Sequence, residues 1–171
     1  LHTATRLALR RGLGQPVAAA ERIAENREAA RALLLAAGRG EADVAAMFAR
    51  MPGENFLRSR PEQIAWQATA LHGAAPSAPV VAARAIPGRD GRDGLDVLVH
   101  MPGRDGLFAA IVITLDRLGM SVLQARVLDG PDGTIFDTFH VLPAEQRQAP
   151  EPPLLAAALA RALSGDLSGM L

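Results

Sequence analysis

The chain has 171 residues, 18 acidic side chains against 18 basic ones (every basic one an arginine), and no cysteine. The missing cysteine excludes disulfides, iron–sulfur clusters, thiolate zinc sites and a cysteine nucleophile, and the balanced charge offers no general pull toward nucleic acid or an anionic membrane. A 49% apolar composition supports a packed core, while 4% aromatics and no tyrosine leave little to stack on bases.

The length fits one domain or two small ones, and no apolar run reaches the roughly 20 residues of a membrane span. The first residues, from Leu1 to Arg6, read as the middle of a helix with no signal-peptide shape, so the chain is read as a piece of a longer protein. Residues 1–11 form the last turns of a helix stopped by Gly12 and Gly14. Pro16 suits the first position of a new helix over 17–37, closed by Gly38. Ile23, Ala30, Leu33 and Leu34 point inward there. Arg22, Glu25, Arg27, Glu28 and Arg31 form its polar sides, read as a solvated, salt-bridged face.

Further helices are predicted over 41–50 and 61–72, the latter with Ile64, Ala68 and Leu71 on one face, Trp66 as a packing anchor and Gly73 as its stop. Residues 74–79 read as a linker. Residues 80–86 are a strand, and 87–94 a Gly- and Pro-rich loop. Over 95–101 the pattern has period two: Leu95, Val97, Val99 and Met101 face one way, Asp96 and His100 the other. After a turn at 102–106 comes a helix over 107–118, with Phe108, Ile111, Leu115 and Leu118 inward and Gly119 as its stop. Strands over 121–128 and 134–142 are joined by the turn Asp129-Gly130-Pro131-Asp132-Gly133. A polar connector over 143–150 and the pair Pro152-Pro153 precede a last helix over about 154–164.

A right-handed crossover from strand 95–101 through the helix to strand 121–128 leaves room for 134–142 between them. The predicted sheet order is 80–86, 95–101, 134–142, 121–128. The fold class is α+β: an N-terminal helical segment, then a ferredoxin-like sandwich. It has a four-stranded antiparallel sheet, two helices on one face and an edge strand supplied from the N-terminal side.

Three ordered blocks carry a resemblance. Phe56-Leu57-Arg58-Ser59-Arg60-Pro61-Glu62-Gln63-Ile64-Ala65-Trp66 resembles the segment after the hydrolase domain of the bacterial PII uridylyltransferase/uridylyl-removing enzyme family. Met101-Pro102-Gly103-Arg104-Asp105-Gly106-Leu107-Phe108-Ala109 resembles the strand-to-helix turn of that family's first ACT domain. The stretch from Leu118 to Arg126 and that from Asp129 to Phe139 continue in register. The resemblance implies a parent with a nucleotidyltransferase domain, an HD-type phosphohydrolase domain and two ACT domains. Such a parent adds UMP to a tyrosine of the PII protein when glutamine is low and removes it when glutamine is high. Its catalytic domains imply Mg²⁺, and its location is cytoplasmic.

On this resemblance residues 1–78 are the helical tail of the HD domain and a connector, 79–164 the ACT domain, and 165–171 the start of a linker to a second ACT domain. Catalytic residues are expected to be absent. No Gly-Ser turn followed by Asp-x-Asp occurs, and none of His2, His72, His100 and His140 precedes an aspartate, so neither metal constellation is present. No cofactor is expected in this piece, nor a nucleic-acid or membrane partner.

The candidate effector site comprises Gly103, Arg104, Asp105, Gly106 and Leu107, with Ser121 and Val122 at the start of the next strand. A turn opening a helix offers unpaired N–H groups at the positive helix end, which suits the carboxylate of glutamine. The alternative is a tight turn that binds nothing, in a structural or dimerising domain, with Asp105 as the helix cap. The Arg-Asp-Gly triplets at 89–91, 92–94 and 104–106 read as turn chemistry. His100 and His140 read as neutral sheet residues on nearby strands, with a ligand pair as the alternative. Both faces of strand 134–142 carry apolar residues. Self-association, pairing with another ACT domain or packing of the N-terminal helices would cover them.

Overall fold

The computed structural model describes residues 2–75, 78–88 and 92–171, with backbone alone over 2–16. The linker positions 76–77 and the triplet at 89–91 lie outside the described residues. The chain divides into two compact units, Leu1–Thr69 and Ala70–Leu171.

The first unit is helical: α1 (His2–Ala36), α2 (Glu41–Ala49), α3 (Gly53–Arg58) and most of α4 (Pro61–Leu71). The break predicted at Gly12–Pro16 is absent, because α1 is one continuous helix. A helical glycine costs about 1 kcal/mol and a proline forfeits one ladder hydrogen bond, so either weakens a helix without ending it where both flanks are helix-forming. Ala30 and Leu34 are buried as expected, whereas Leu33 is exposed, because the inward stripe keeps to i, i+4 spacing. Val44, Met47, Phe48, Met51, Phe56, Ile64 and Ala68 complete this core, with Phe48 and Phe56 meeting edge to face at 5.2 Å.

A polar network runs through it. Asn55 Nδ2 donates to Gln67 Oε1 at 2.8 Å, Ser59 Oγ to Asn55 Oδ1 at 2.9 Å, and Asn26 Nδ2 to the Phe56 carbonyl at 2.7 Å. The charged face of α1 is solvated as predicted, with Arg31 bridging Glu28 and Glu41. Arg27 lies over the rings of Phe48 and Phe56.

The second unit contains β1 (Val80–Ile86), β2 (Gly94–Pro102), α5 (Leu107–Arg117), β3 (Met120–Asp129), β4 (Thr134–Pro143) and α6 (Pro152–Leu163). The sheet order is β1-β2-β4-β3, antiparallel throughout, as the crossover argument predicts. Pro152 and Pro153 lie inside the first turn of α6 instead of before it. Their missing N–H groups have no acceptor in a first turn, so they cost nothing there.

The core lies between the sheet and α5 and α6. Leu95, Val97, Val99, Met101, Phe139 and Val141 meet Ala110, Ile111, Leu115, Leu155, Leu159 and Leu163. The sequence pattern places Phe108 on the inward face of α5, but it is 44% exposed. The buried stripe runs through Leu107, Ala110, Ile111, Thr114 and Leu115, and Phe108 borders it, stacked on Phe139 at 6.1 Å between centroids. On the opposite face of the sheet Leu98, His100 and Phe136 are also buried. Among the described residues no helix is long and apolar enough to cross a membrane.

Candidate functional site

The turn after β2 is set by two glycines. Gly103 N–H donates to the Gly133 carbonyl at 2.9 Å, and a Cβ on Gly103 would stand 3.2 Å from that oxygen, so the turn lies tight against the β3–β4 hairpin. Gly106 is the N-cap of α5 and has φ +79°, a left-handed conformation that glycine adopts without strain. No side chain caps α5. The suggestion that Asp105 caps it is therefore not met: the cap position falls on Gly106, one residue further on. Leu107 N–H bends back to the Arg104 carbonyl at 3.3 Å, and Ala110 N–H closes the first helical bond on the Gly106 carbonyl at 2.9 Å. The other first-turn amides lack intrahelical acceptors and face the positive helix end.

Gly103, Arg104, Asp105, Gly106 and Leu107 are thus brought together in one turn. Ser121 and Val122 are not. Pro102 pairs with Thr134 at one end of β4, whereas Ser121 pairs with Leu142 at the other. Eight strand residues at about 3.3 Å each separate the two ends by roughly 26 Å, several times the reach of one amino acid. Within one chain a single ligand cannot touch both.

The turn also has neighbours that sequence reasoning missed. The Arg104 guanidinium donates to the Gly165 carbonyl at 2.9 Å and to that of Leu163, closing the C-terminal end of α6. A Cβ on Gly106 would come within 2.4 Å of Leu171 Cδ1, so the last residue lies on the turn. Leu167 is buried in the core and Met170 packs against it. The segment read as the start of a linker is therefore folded onto the domain.

A second missed feature is Asp137, on the helix-facing side of β4 opposite Val99 and Val127. It is 2% exposed, and Oδ1 is buried without a hydrogen-bond partner. Burial raises its pKa to about 6, a hydrogen bond from the Leu128 backbone opposes the rise, and the charge of Asp129 adds to it. Only its place between Ile135 and Phe139 in an alternating strand hinted at this.

His100 and His140 do not pair. His100 Nδ1 meets the Ile135 carbonyl at 2.9 Å, and His140 Nδ1 meets Asp96 Oδ1 at 3.3 Å. Asp96 also binds Arg84, so Arg84, Asp96, His140 and Gln124 form one polar row across all four strands. No group of three or more His, Asp or Glu that could hold a metal occurs among the described residues.

An antiparallel β1-β2-β4-β3 sheet backed by two helices, with a glycine turn opening the first, defines a ferredoxin-like α+β domain of the ACT type. A family model described as the fifth domain of uridylyltransferase GlnD matches residues 18–70. That stretch covers most of the first unit, which has its own core. The chain is 50% identical over 168 residues to the bifunctional uridylyltransferase/uridylyl-removing enzymes of Xanthomonas campestris pv. campestris and Xanthomonas oryzae pv. oryzae. In each case the match covers 98% of this chain and 19% of the relative. The enzyme of the same name from Vibrio cholerae is 36% identical over 143 residues, 83% of this chain and 16% of the relative. The chain belongs to the bifunctional uridylyltransferase/uridylyl-removing enzyme family and spans about a fifth of the length of these relatives.

Proposed function

We propose that the Ala70–Leu171 unit is the glutamine-sensing ACT module of a cytoplasmic enzyme that uridylylates and deuridylylates the PII protein. The observation that carries this reading is 50% identity along nearly the whole chain to enzymes of that name. The chain's own residues supply no catalytic centre in this reading; nucleotidyl transfer, UMP removal and their Mg²⁺ belong to other parts of the parent. The glutamine carboxylate meets backbone N–H groups at Asp105 and Gly106, where the helix end is electropositive, and draws the Leu107 N–H away from its 3.3 Å bond to the Arg104 carbonyl. The ligand's amino group meets acceptors at Ser121 and Val122 of a second ACT module, because those residues of the same chain lie at the far end of the sheet.

The edge strand β3 suits such pairing. A bulge between Val122 and Gln124 leaves Leu123 exposed, and Val127 is exposed beyond it. The test is a calorimetric titration of the chain with glutamine, with glutamate and asparagine as controls. Saturable heat for glutamine alone supports the reading, and its absence removes this unit as the sensor. A structural module without a ligand is the second reading, favoured by one observation: Arg104 and Leu171 already engage the turn.

A further inference from the structure

We propose that the end of the sheet remote from the α5 turn carries a second site, which takes the phosphate group of a small phosphate ester between Arg92 and Arg147. It is independent of the glutamine reading, which concerns the turn at the other end.

An open cavity of about 380 Å³ lies there, bordered by Arg92 and Asp93 before β2 and by Pro143, Arg147, Gln148 and Ala149 at and after the end of β4. That volume falls within the ordinary range of small-molecule pockets. Part of an Arg-Asp-Gly triplet and part of the polar connector, far apart in sequence, thus face one space.

Both arginines are held in place. Arg92 Nη2 donates to the Pro143 carbonyl at 2.9 Å, which uses one of the five donors of its fork. Arg147 lies against Gly119, the residue after the C-cap of α5. A Cβ on Gly119 would stand 2.9 Å from Arg147 Nη1 and 3.2 Å from Cδ, so the glycine makes room for this side chain. The connector that carries Arg147 is itself fixed. Ala144 N–H donates to the Gly119 carbonyl at 2.8 Å, and Arg147 N–H to the Ala144 carbonyl at 3.0 Å. Between them Gln146 adopts φ +63°, a left-handed conformation that costs a non-glycine residue about 1 kcal/mol or more.

Neither guanidinium forms an ion pair among the described residues. The C-terminal end of α5 beside Arg147 bears roughly half a negative charge, which anchors the cation without neutralising it. Asp93 is the carboxylate in the cavity lining, and its Oδ1 accepts from Gly88 N–H at 3.3 Å. Two cations against one carboxylate leave the cavity positive. Guanidinium groups positioned in advance bind oxyanions at a reduced ordering cost. A carboxylate offers two oxygens and one charge, enough for one fork. A phosphate monoester offers three acceptor oxygens and nearly two charges, enough for both. The rest of the cavity takes the organic part of the ester.

The test titrates the isotope-labelled chain with inorganic phosphate, glycerol 3-phosphate and succinate, each to about 10 mM at constant ionic strength. It follows the amide resonances of residues 92–94, 119 and 144–149, with amides beside the exposed Arg22 as the control for unspecific attraction. Saturable shifts confined to this end of the sheet, with glycerol 3-phosphate bound more tightly than succinate, are expected. Arg147→Gln weakens binding about tenfold, the factor of one lost charge-assisted hydrogen bond. Arg147→Lys keeps the charge, loses the fork and falls between. Arg147 is exposed on the connector, so Arg147→Gln leaves the Phe136 and Phe139 amides unshifted even where Arg92→Gln loosens the strand end. A response to inorganic phosphate alone overturns the ester, and succinate bound as tightly overturns the phosphate. Undiminished affinity in Arg147→Gln, or shifts no larger than those beside Arg22, overturns the site.

Discussion

Asp137 makes the stability of the second unit fall as pH rises, and Asp137→Asn removes that dependence. The carboxyl is buried on the core side of the central strand β4, and Oδ1 has no hydrogen-bond partner. Burial, partly opposed by the Leu128 backbone bond, lifts its pKa from the ordinary 3.8 to about 6. The native state therefore holds this proton more tightly than the unfolded chain does. Well below pH 3.8 both states are protonated and ionisation imposes no penalty. As pH rises to about 6 the unfolded chain ionises first, and the native state loses stability until it ionises too. The gap between 3.8 and about 6 corresponds to about 3 kcal/mol at about 1.4 kcal/mol per pH unit.

Asparagine keeps the shape and an acceptor for Leu128 N–H, but it never ionises. Its amide adds a fixed offset from a buried NH₂, so the informative quantity is how the difference between the two proteins changes with pH. Urea denaturation between pH 4 and pH 7.5, followed through resolved β2 and β4 amide resonances, measures it. The expected result is a difference that moves by about 2.5 kcal/mol over this range in favour of the asparagine variant as pH rises and levels off above pH 6. Parallel curves would refute the reasoning, since they would mean that Asp137 ionises in the native state as readily as in the unfolded chain.

Gly106→Val forces a β-branched residue to φ +79° and is expected to cost about 1–3 kcal/mol in urea denaturation; the Leu171 contact adds little, since its side chain swings away. The same variant abolishes glutamine binding by calorimetry, and undiminished affinity would take the turn out of the site. Asn55→Ala removes the donor to Gln67 Oε1 and the acceptor of the Ser59 Oγ hydrogen bond in the first core and is expected to cost about 2–3 kcal/mol. Fluorescence of Trp66, the only tryptophan in the sequence, reports it, and a loss within error would show that the network is not formed. Asp96→Asn breaks the pairs to Arg84 and His140 at the half-buried end of the sheet. The expected loss is below about 1 kcal/mol and shrinks in salt; a salt-independent loss would assign the effect to packing.

The strand alternation of Leu95, Val97, Val99 and Met101, the glycine turns and the handedness of crossovers suffice to order the sheet. Those signals are local, and local sterics act the same way in every chain. Breaker residues misled where packing and helix-forming flanks outweighed them, as at Gly12 and Pro16 inside α1. The turn at Gly103 to Leu107 was legible for the same local reason, but its relation to Ser121 and Val122 was not. Which end of a sheet a residue occupies follows from strand direction and register across 20–40 residues of chain, and no short pattern encodes that. Arg104 on the end of α6, Leu171 on Gly106 and the desolvated carboxyl of Asp137 are likewise long-range outcomes. They arise because two helices and a returning tail must close one core, and a charged or glycine position then takes whatever neighbour that closure brings.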